Sequence, residues 1–304
     1  MLTPQRPAEL AGVLSGQSGL VRLRRKSRLN GAAESFNRSY AASLNPNISR
    51  SFLLECNMDV IFLGTNGWYD SPAGNTICIL IESEDYYIIL DAGNGIHKLD
   101  RYYQKAKPVF ILLSHFHLDH IIGLHILAKF SFAKGLVIAG PKGTKEILKT
   151  IVNKPFTMPL DDLPYKTEVL ELSEEDTVLP FETKCMELVH SSLTLGYRIH
   201  LENKSVAYIP DTGFCQNAVR LARNVDLVIA ECAHLPGESS PEWPHLNPQD
   251  AANIAKEAGA KQLALVHFDA RRYPTTESRK VAQLCAKNIF PNTIATHDEM
   301  HLRL

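Results

Sequence analysis

The stretch Ser114-His115-Phe116-His117-Leu118-Asp119-His120 carries three imidazoles and one carboxylate within six residues. It directly follows the apolar residues 109–113, which predict a short buried strand because Pro108 precedes them and they are rich in strand-forming types. Histidines two residues apart do not share a helical face, but they converge on a turn that leaves a strand. Neutral imidazole together with carboxylate is a ligand set that suits zinc, manganese or iron. The apolar residues 121–127 then predict a helix, which places a metal site at a strand-to-helix junction.

The composition indicates a folded chain with an uneven charge. The 304 residues are 45% hydrophobic and carry a formal charge of −1. Residues 1–57 hold eight Lys/Arg against three Asp/Glu, which leaves 24 against 30 for the remainder. A mildly acidic body does not indicate affinity for nucleic acid. The six cysteines are scattered without a C-x-x-C pair, which predicts reduced thiols and a cytoplasmic protein, and no apolar run approaches the length of a membrane span.

Residues 1–57 are predicted to form a disordered basic extension outside the fold. They are rich in Arg, Ser, Ala and Asn and show no sustained apolar period. Such a leader is either an organelle transit peptide or an extension without function. Met58 directly precedes the first convincing strand, so residues 58–304 are predicted to form the folded domain.

Strands and helices follow one another along this domain in two β-rich halves. Strands are predicted at residues 59–64, 76–81, 86–90, 109–113, 136–139, 182–189, 195–201, 205–209, 226–230 and 262–266, with further strand material at 293–304. Helices are predicted from the histidine cluster to about residue 130, and at 144–151, 217–222, 247–257 and 276–287. Two sheets packed together and covered by helices account for this order, which is a four-layer α/β architecture.

Polar residues end four of the predicted strands. Asp91, His190, Asp211 and His267 each follow an apolar strand and can all lie on one edge of the sheets. A single histidine in such a place is more often structural than ligating, and a histidine-rich surface turn would explain the cluster alone. Together the residues supply enough ligands for two metal ions about 3.5–4 Å apart, including a carboxylate to bridge them.

The order His115-x-His117-x-Asp119-His120, His190, Asp211, His267 resembles the metallo-β-lactamase superfamily, from residue 58 to the C-terminus. The resemblance implies an αββα sandwich with a dinuclear metal site at one edge. It implies two divalent ions, with zinc expected and manganese or iron as alternatives. The implied ligands are His115, His117 and His190 for one ion, Asp119, His120 and His267 for the other, and Asp211 as the bridge. The resemblance also implies that Asp91 does not bind a metal itself but orients the ligating side chains.

Within the superfamily, the chain is most similar to the ribonuclease Z-like phosphodiesterase branch. Phe62-Leu63-Gly64-Thr65 and residues 265–273 carry this likeness. Glu231 and His245 match a proton-donating pair of the branch, although Ala230 stands where a histidine commonly precedes the glutamate. His234 is the alternative acid, because it is nearer to Glu231 in sequence.

One departure concerns the substrate. Ribonuclease Z enzymes insert a tRNA-binding arm between the third-motif histidine and the bridging aspartate, but residues 190–211 leave room for only two short strands. The resemblance therefore implies small phosphodiesters, cyclic phosphates or RNA 3′ ends as substrates, makes precursor tRNA doubtful, and suggests a homodimer.

The implied chemistry is metal-dependent phosphodiester hydrolysis. A hydroxide between the two ions attacks the phosphorus in line, and Asp119 takes up a proton. His245, held by Glu231, protonates the leaving oxygen. Thioester or lactone hydrolysis by the same fold is the alternative. An inactive binding module is a third hypothesis, which the complete ligand set disfavours.

Overall fold

The computed structural model describes residues 58–304, and the predicted N-terminal extension, residues 1–57, lies outside them. The strands in this part of the chain are, in order, β1 (Asp59–Gly64), β2 (Asn66–Gly67), β3 (Cys78–Glu82), β4 (Tyr87–Leu90), β5 (Val109–Leu112), β6 (Leu136–Gly140), β7 (Thr167–Glu171), β8 (Glu182–Glu187), β9 (Leu195–Leu201), β10 (Lys204–Ile209), β11 (Leu227–Glu231), β12 (Gln262–Val266), β13 (Phe268–Asp269), β14 (Thr293–Ala295) and β15 (Met300–Arg303). The α-helices are α1 (Leu118–Ile121), α2 (Thr144–Ile151), α3 (Gln216–Leu221), α4 (Pro248–Glu257) and α5 (Thr276–Lys287). Helices of the 3-10 type cover Asn94–Arg101, Ile122–Lys129 and Leu160–Asp162. None of the helices described is long and apolar enough to cross a lipid bilayer.

Two mixed sheets form the centre of the fold. One has seven strands in the order β15-β1-β3-β4-β5-β6-β7, and the other has six in the order β14-β12-β11-β10-β9-β8. Their facing sides share one apolar core, to which Phe62 contributes from the first sheet and Tyr197 from the second. Leu148 of α2 belongs to the core on the outer face of the first sheet, and Ile254 of α4 to that on the second. The predicted αββα sandwich is confirmed.

The parallel strands of both sheets carry polar residues where they end. Strands β4 and β5 are parallel neighbours in the first sheet, and β10, β11 and β12 are parallel neighbours in the second. Asp91 follows β4, Asp211 lies two residues beyond β10, Glu231 ends β11, and His267 follows β12. The carboxyl ends of parallel strands are where α/β folds place their sites, because side chains there leave the hydrogen-bonded sheet.

The segment after the histidine cluster differs from the helix predicted to residue 130. Only Leu118–Ile121 is α-helical, and Ile122–Lys129 continues as a 3-10 helix. The N–H of Gly123 donates to the carbonyl of Ala92 at 2.8 Å, which takes it out of the α-helical ladder. A Cβ at Gly123 would lie 2.3 Å from the Gly93 carbonyl oxygen. This close approach to the loop after β4 sets the backbone path here, so the predicted helix is present but is mostly of the 3-10 type, which the apolar pattern did not specify.

A tight hairpin joins β9 and β10, between His190 and Asp211. Its two connecting residues, Glu202 and Asn203, have φ of 53° and 61°. Two positive φ angles in a two-residue loop match the right-handed twist of antiparallel strands. The chain between these two site residues is thus taken up by the two strands and their turn, without an inserted arm.

Candidate metal centre

The seven residues predicted as ligands lie together at one edge of the sandwich. They fall into two groups, each with ligand atoms within 4.8 Å of one another. The first group contains His115, His117, His190 and Asp211, and the second contains Asp119, His120 and His267. Each group offers three or four nitrogen and oxygen donors, which is the number of protein ligands that zinc sites use.

Asp211 faces both groups with different oxygens. Its Oδ1 lies 3.2 Å from Nε2 of His120 and 3.2 Å from Nε2 of His267. Its Oδ2 lies 3.8 Å from Nε2 of His115 and 3.7 Å from Nε2 of His190. A carboxylate with one oxygen toward each group is placed as a ligand bridging two ions would be.

Three of the imidazoles turn Nδ1 away from the centre and Nε2 toward it. The Nδ1 contacts are His115 to Ser114 Oγ at 3.0 Å, His120 to Asp91 Oδ2 at 2.8 Å, and His190 to the Pro244 carbonyl at 3.3 Å. The buried Nε2 of His115 and Oδ1 of Asp211 have no hydrogen-bond partner within the described residues. Buried lone pairs without donors are costly, and metal-ligating histidines usually donate their second nitrogen to an outer partner. The donor set therefore fits divalent cations.

The direction of the pKa shift differs between the histidines of the first metal-binding group and His120 of the second. Burial holds the pKa of His115 well below its usual value, and burial also lowers the pKa of His117 and His190. These imidazoles are neutral, which is the ligating form. Burial opposes the charged form of His120 as well, but the nearby carboxylates, with Asp211 the strongest, raise its pKa well above the usual value. The second group thus lies in a negative potential that favours a proton or, in its place, a cation.

Asp91 lies behind the ligands and is fully buried. Its Oδ1 accepts the Ser114 N–H at 2.7 Å, and its Oδ2 accepts from His120 Nδ1, Ser114 Oγ and Tyr208 Oη at 2.8, 2.8 and 2.6 Å. Asp91 therefore fixes the orientation of His120 and the start of the turn that carries His115. Asp91 was predicted from the sequence, but Ser114 and Tyr208 were not. Ser114 is marked in the sequence only by its place next to His115, and Tyr208 reaches Asp91 from the neighbouring sheet.

We expect Asp91→Asn to weaken metal binding by about 10–100-fold, the usual effect of removing an outer partner of a ligating histidine. Asp91 has a φ of 55°, and asparagine tolerates this left-handed conformation, so the backbone should be retained. Metal affinity is measured by competition with a chelator. An unchanged affinity would show that the carboxylate serves packing and not the ligands.

Glu231 and His245 form a hydrogen-bonded pair next to the centre. His245 Nδ1 donates to Glu231 Oε1 at 2.7 Å, and the N–H groups of Thr212 and Ala233 donate to the same carboxylate at 3.0 and 2.9 Å. Burial lowers the pKa of His245, but the charge of Glu231 and this hydrogen bond outweigh it and raise the pKa to about 9. His245 therefore holds a proton at neutral pH. His234 makes its side-chain contact to the Trp243 carbonyl instead, at 3.3 Å from Nε2.

A short two-stranded ribbon fixes His267 and the loop after β1. Strands β2 and β13 pair in parallel, with Asn66 opposite Phe268. The buried Arg279 supports this ribbon, since Nη1 donates to Thr65 Oγ1 at 2.8 Å, Nη2 donates to Asn66 Oδ1, and the guanidinium lies 4.7 Å from the Phe268 ring centroid. A Cβ on Gly67 would lie only 2.4 Å from the His267 ring. Glycine at position 67 is what allows the loop to cross this close to a ligand.

The centre opens into a cavity of about 650 Å³. Its lining includes the predicted ligands His117, Asp119, Asp211 and His267, the pair member His245, and also Trp68, Trp243 and Arg271. The two tryptophans were not singled out from the sequence, where neither follows a predicted strand or belongs to a ligand pattern. Four of the predicted ligands and His245 therefore line the same cavity.

Two stacked mixed sheets with this edge cluster define a metallo-β-lactamase fold. A family model described as "Beta-lactamase superfamily domain" matches residues 86–268, more than half of the chain, and the chain belongs to this superfamily.

Several of the relatives have names that state an activity. A "Probable metallo-hydrolase YhfI" of Bacillus subtilis is 28% identical over 69% of this chain and 87% of its own length. A "Ribonuclease Z" of Sulfurisphaera tokodaii is 25% identical over 77% of this chain and 94% of its own.

Solved structures agree on the fold. The crystal structure of the Bacillus subtilis protein YhfI matches with a TM-score of 0.67 at 24% identity, covering 82% of this chain and all of that one. Human tRNase Z, short form, matches with a TM-score of 0.60 at 23% identity, covering 80% and 98%. At these identities the likeness shows the shared architecture.

Proposed function

We propose that the chain is a metal-dependent phosphodiesterase. The Glu231–His245 pair carries this proposal, because the His245 imidazole bonds to the Glu231 carboxylate at 2.7 Å and lies next to the metal-binding groups, with Nδ1 4.0 Å from Oδ2 of Asp211. Departure of an alkoxide from a phosphodiester needs a proton in the transition state. Relatives named ribonuclease Z support the same reaction class.

Each residue has a part that its position supports. Two divalent ions, zinc by preference because the set is rich in imidazole, would be held by the two groups with Asp211 shared, and would supply water activation and neutralisation of phosphoryl charge. Asp119 Oδ2, which accepts the Trp68 N–H at 2.7 Å, is the acceptor for the proton of the attacking water. His245 donates a proton to the leaving oxygen, and Glu231 stabilises the imidazolium and orients it.

A turnover panel with the metal-loaded protein tests this function. The substrates are a chromogenic phosphodiester, a cyclic nucleotide, a thioester and a lactone, and metal content per chain is determined on the same preparation. Hydrolysis of the diesters with two ions bound is the expected result. Preference for the thioester or lactone would assign the alternative chemistry, and protein that neither binds metal nor regains activity with zinc, manganese or iron would contradict both.

We further expect poor processing of precursor tRNA. The hairpin at Glu202 and Asn203 leaves no arm between His190 and Asp211, and residues 58–304 carry more acidic than basic side chains. Phosphate contacts dominate the affinity of proteins for RNA, so binding should be weak at physiological salt. The rate on precursor tRNA is compared with that on the small diester. Efficient tRNA cleavage would mean that another surface has replaced the arm.

A further inference from the structure

The only two tryptophans of the chain both line the cavity above the metal-binding groups. Trp68 is 60% exposed and Trp243 is 54% exposed. Single exposed apolar residues need no explanation, but here the two largest aromatic side chains lie half in solvent at one opening. Tryptophan in such a place offers a rigid flat surface to a ligand.

Trp68 is held in an unfavourable backbone conformation. Its φ is 73°, a left-handed value that is an outlier for a bulky residue and that tends to occur at functional sites. Its N–H donates to Asp119 Oδ2, and the preceding Gly67 is paired with Asp269 in the ribbon. The backbone of Trp68 is thus held beside Asp119 of the second metal-binding group, with the indole at the rim of the cavity.

Trp243 lies on the side of the proton donor. Its ring is nearly parallel to the His117 ring, at 6° and 6.2 Å between centroids, and lies 5.9 Å from the His245 ring. A flat group that enters the cavity therefore has two indoles in the lining on which it can stack.

Arg271 adds a positive charge to the same rim. Its guanidinium lies 5.5 Å from the centroid of the Trp68 ring. The neighbouring Arg272 is neutralised by Glu238 and Asp269, whereas no carboxylate in residues 58–304 forms an ion pair with Arg271. An exposed guanidinium beside an indole can bind a phosphate oxygen and stack on a base at once.

We propose that Trp68, Trp243 and Arg271 form a base-binding clamp, which makes nucleotide phosphodiesters the preferred substrate class of this site. The clamp rests on the proposed phosphodiesterase function for its kinetic consequence, but the binding of a base is independent of turnover. The nucleobase stacks on the indoles, and Arg271 contacts the anionic phosphate. Stacking is tolerant of base identity because every base has a π-face, so little discrimination among bases is expected.

The kinetic experiment compares two diesters with the same leaving group, thymidine 5′-(p-nitrophenyl) phosphate and methyl p-nitrophenyl phosphate. The metal-loaded full chain should prefer the nucleotide in kcat/KM. Trp68→Ala and Trp243→Ala should each reduce this preference by about tenfold, the usual effect of removing one stacking ring. Trp68→Phe and Trp243→Phe keep a flat ring and should retain most of it. Phe156→Ala is the matched control, since Phe156 is 69% exposed and lies outside the cavity lining.

A binding experiment separates failure of the clamp from failure of the proposed function. Tryptophan fluorescence is titrated with thymidine 5′-monophosphate and with deoxyribose 5-phosphate, which differ only in the base. Quenching by the nucleotide at lower concentration, with weaker affinity in Arg271→Gln, supports the clamp even if neither diester is hydrolysed. Equal responses to both ligands, or a kinetic preference that persists in both alanine variants, would overturn it.

Discussion

Asp211→Asn is expected to abolish the paired metal site and to reduce phosphodiester turnover by about 10³-fold or more. Loss of the paired cations should cost at least as much transition-state stabilisation as loss of one preorganised hydrogen-bond donor does. The amide has nearly the shape of the carboxylate, so the buried side chain should still pack. It cannot place an anionic oxygen toward both groups, as Oδ1 does near His120 and His267 and Oδ2 near His115 and His190. Metal content per chain and kcat/KM on a chromogenic diester measure the loss.

Thermal unfolding gives this prediction a second readout. A cation that binds only the folded state stabilises it by mass action, so chelation should lower the melting temperature of the unaltered protein. The melting temperature of Asp211→Asn should respond much less to added metal. Asp226→Asn is the control, because the Asp226 carboxylate bonds to Lys261 and Ser205 away from the centre. An asparagine variant that keeps two ions and normal turnover would remove Asp211 from the bridging position.

The positions of the candidate ligands were predictable because of a general property of strands. The middle of a buried strand has no place for a polar side chain, whereas a histidine or aspartate at its end lies where the chain leaves the sheet and can meet other polar groups. Asp91 and His267 follow β4 and β12 directly, and both have a positive φ, which marks the turn itself. Spacing along the chain therefore located these residues without any knowledge of which strands are neighbours.

Other features depend on contacts between distant segments and were not predictable in this way. Strand β7 is an edge strand with partly or fully exposed residues, so Thr167–Glu171 has no apolar run. The 3-10 helix after the cluster follows from the bond between Gly123 and Ala92. The choice between His234 and His245 depends on where the loop after β11 returns to Glu231, because sequence distance favoured His234 but His245 makes the hydrogen bond. Trp68 and Trp243 line the same cavity although they lie far apart in sequence, and no local pattern indicates that.

His245→Ala is expected to slow hydrolysis of diesters with a poor alkoxide leaving group by about 10²–10⁴-fold, the usual effect of a positioned general acid. The same substitution should hardly affect p-nitrophenyl diesters, because nitrophenolate departs with little need for a proton. We expect this difference between the two kinds of diester because His245 is bonded to Glu231, which raises the pKa of the imidazole to about 9 and keeps a proton available for the leaving group. Rates on an alkyl or dinucleotide diester and on the nitrophenyl diester are measured on preparations with equal metal content.

Two further variants separate proton donation from a general disturbance of the site. Glu231→Gln should produce a smaller loss with the same dependence on the leaving group, since the amide can still contact the imidazole but no longer stabilises its cation. His234→Ala should leave the ratio of the two rates unchanged, because His234 contacts the Trp243 carbonyl and does not bond to Glu231. A selective loss in His234→Ala but not in His245→Ala would reassign the acid. An equal loss on both substrates in His245→Ala would instead mean that this imidazole serves the cations or the shape of the cavity, since a proton donor is needed only where the leaving group is poor.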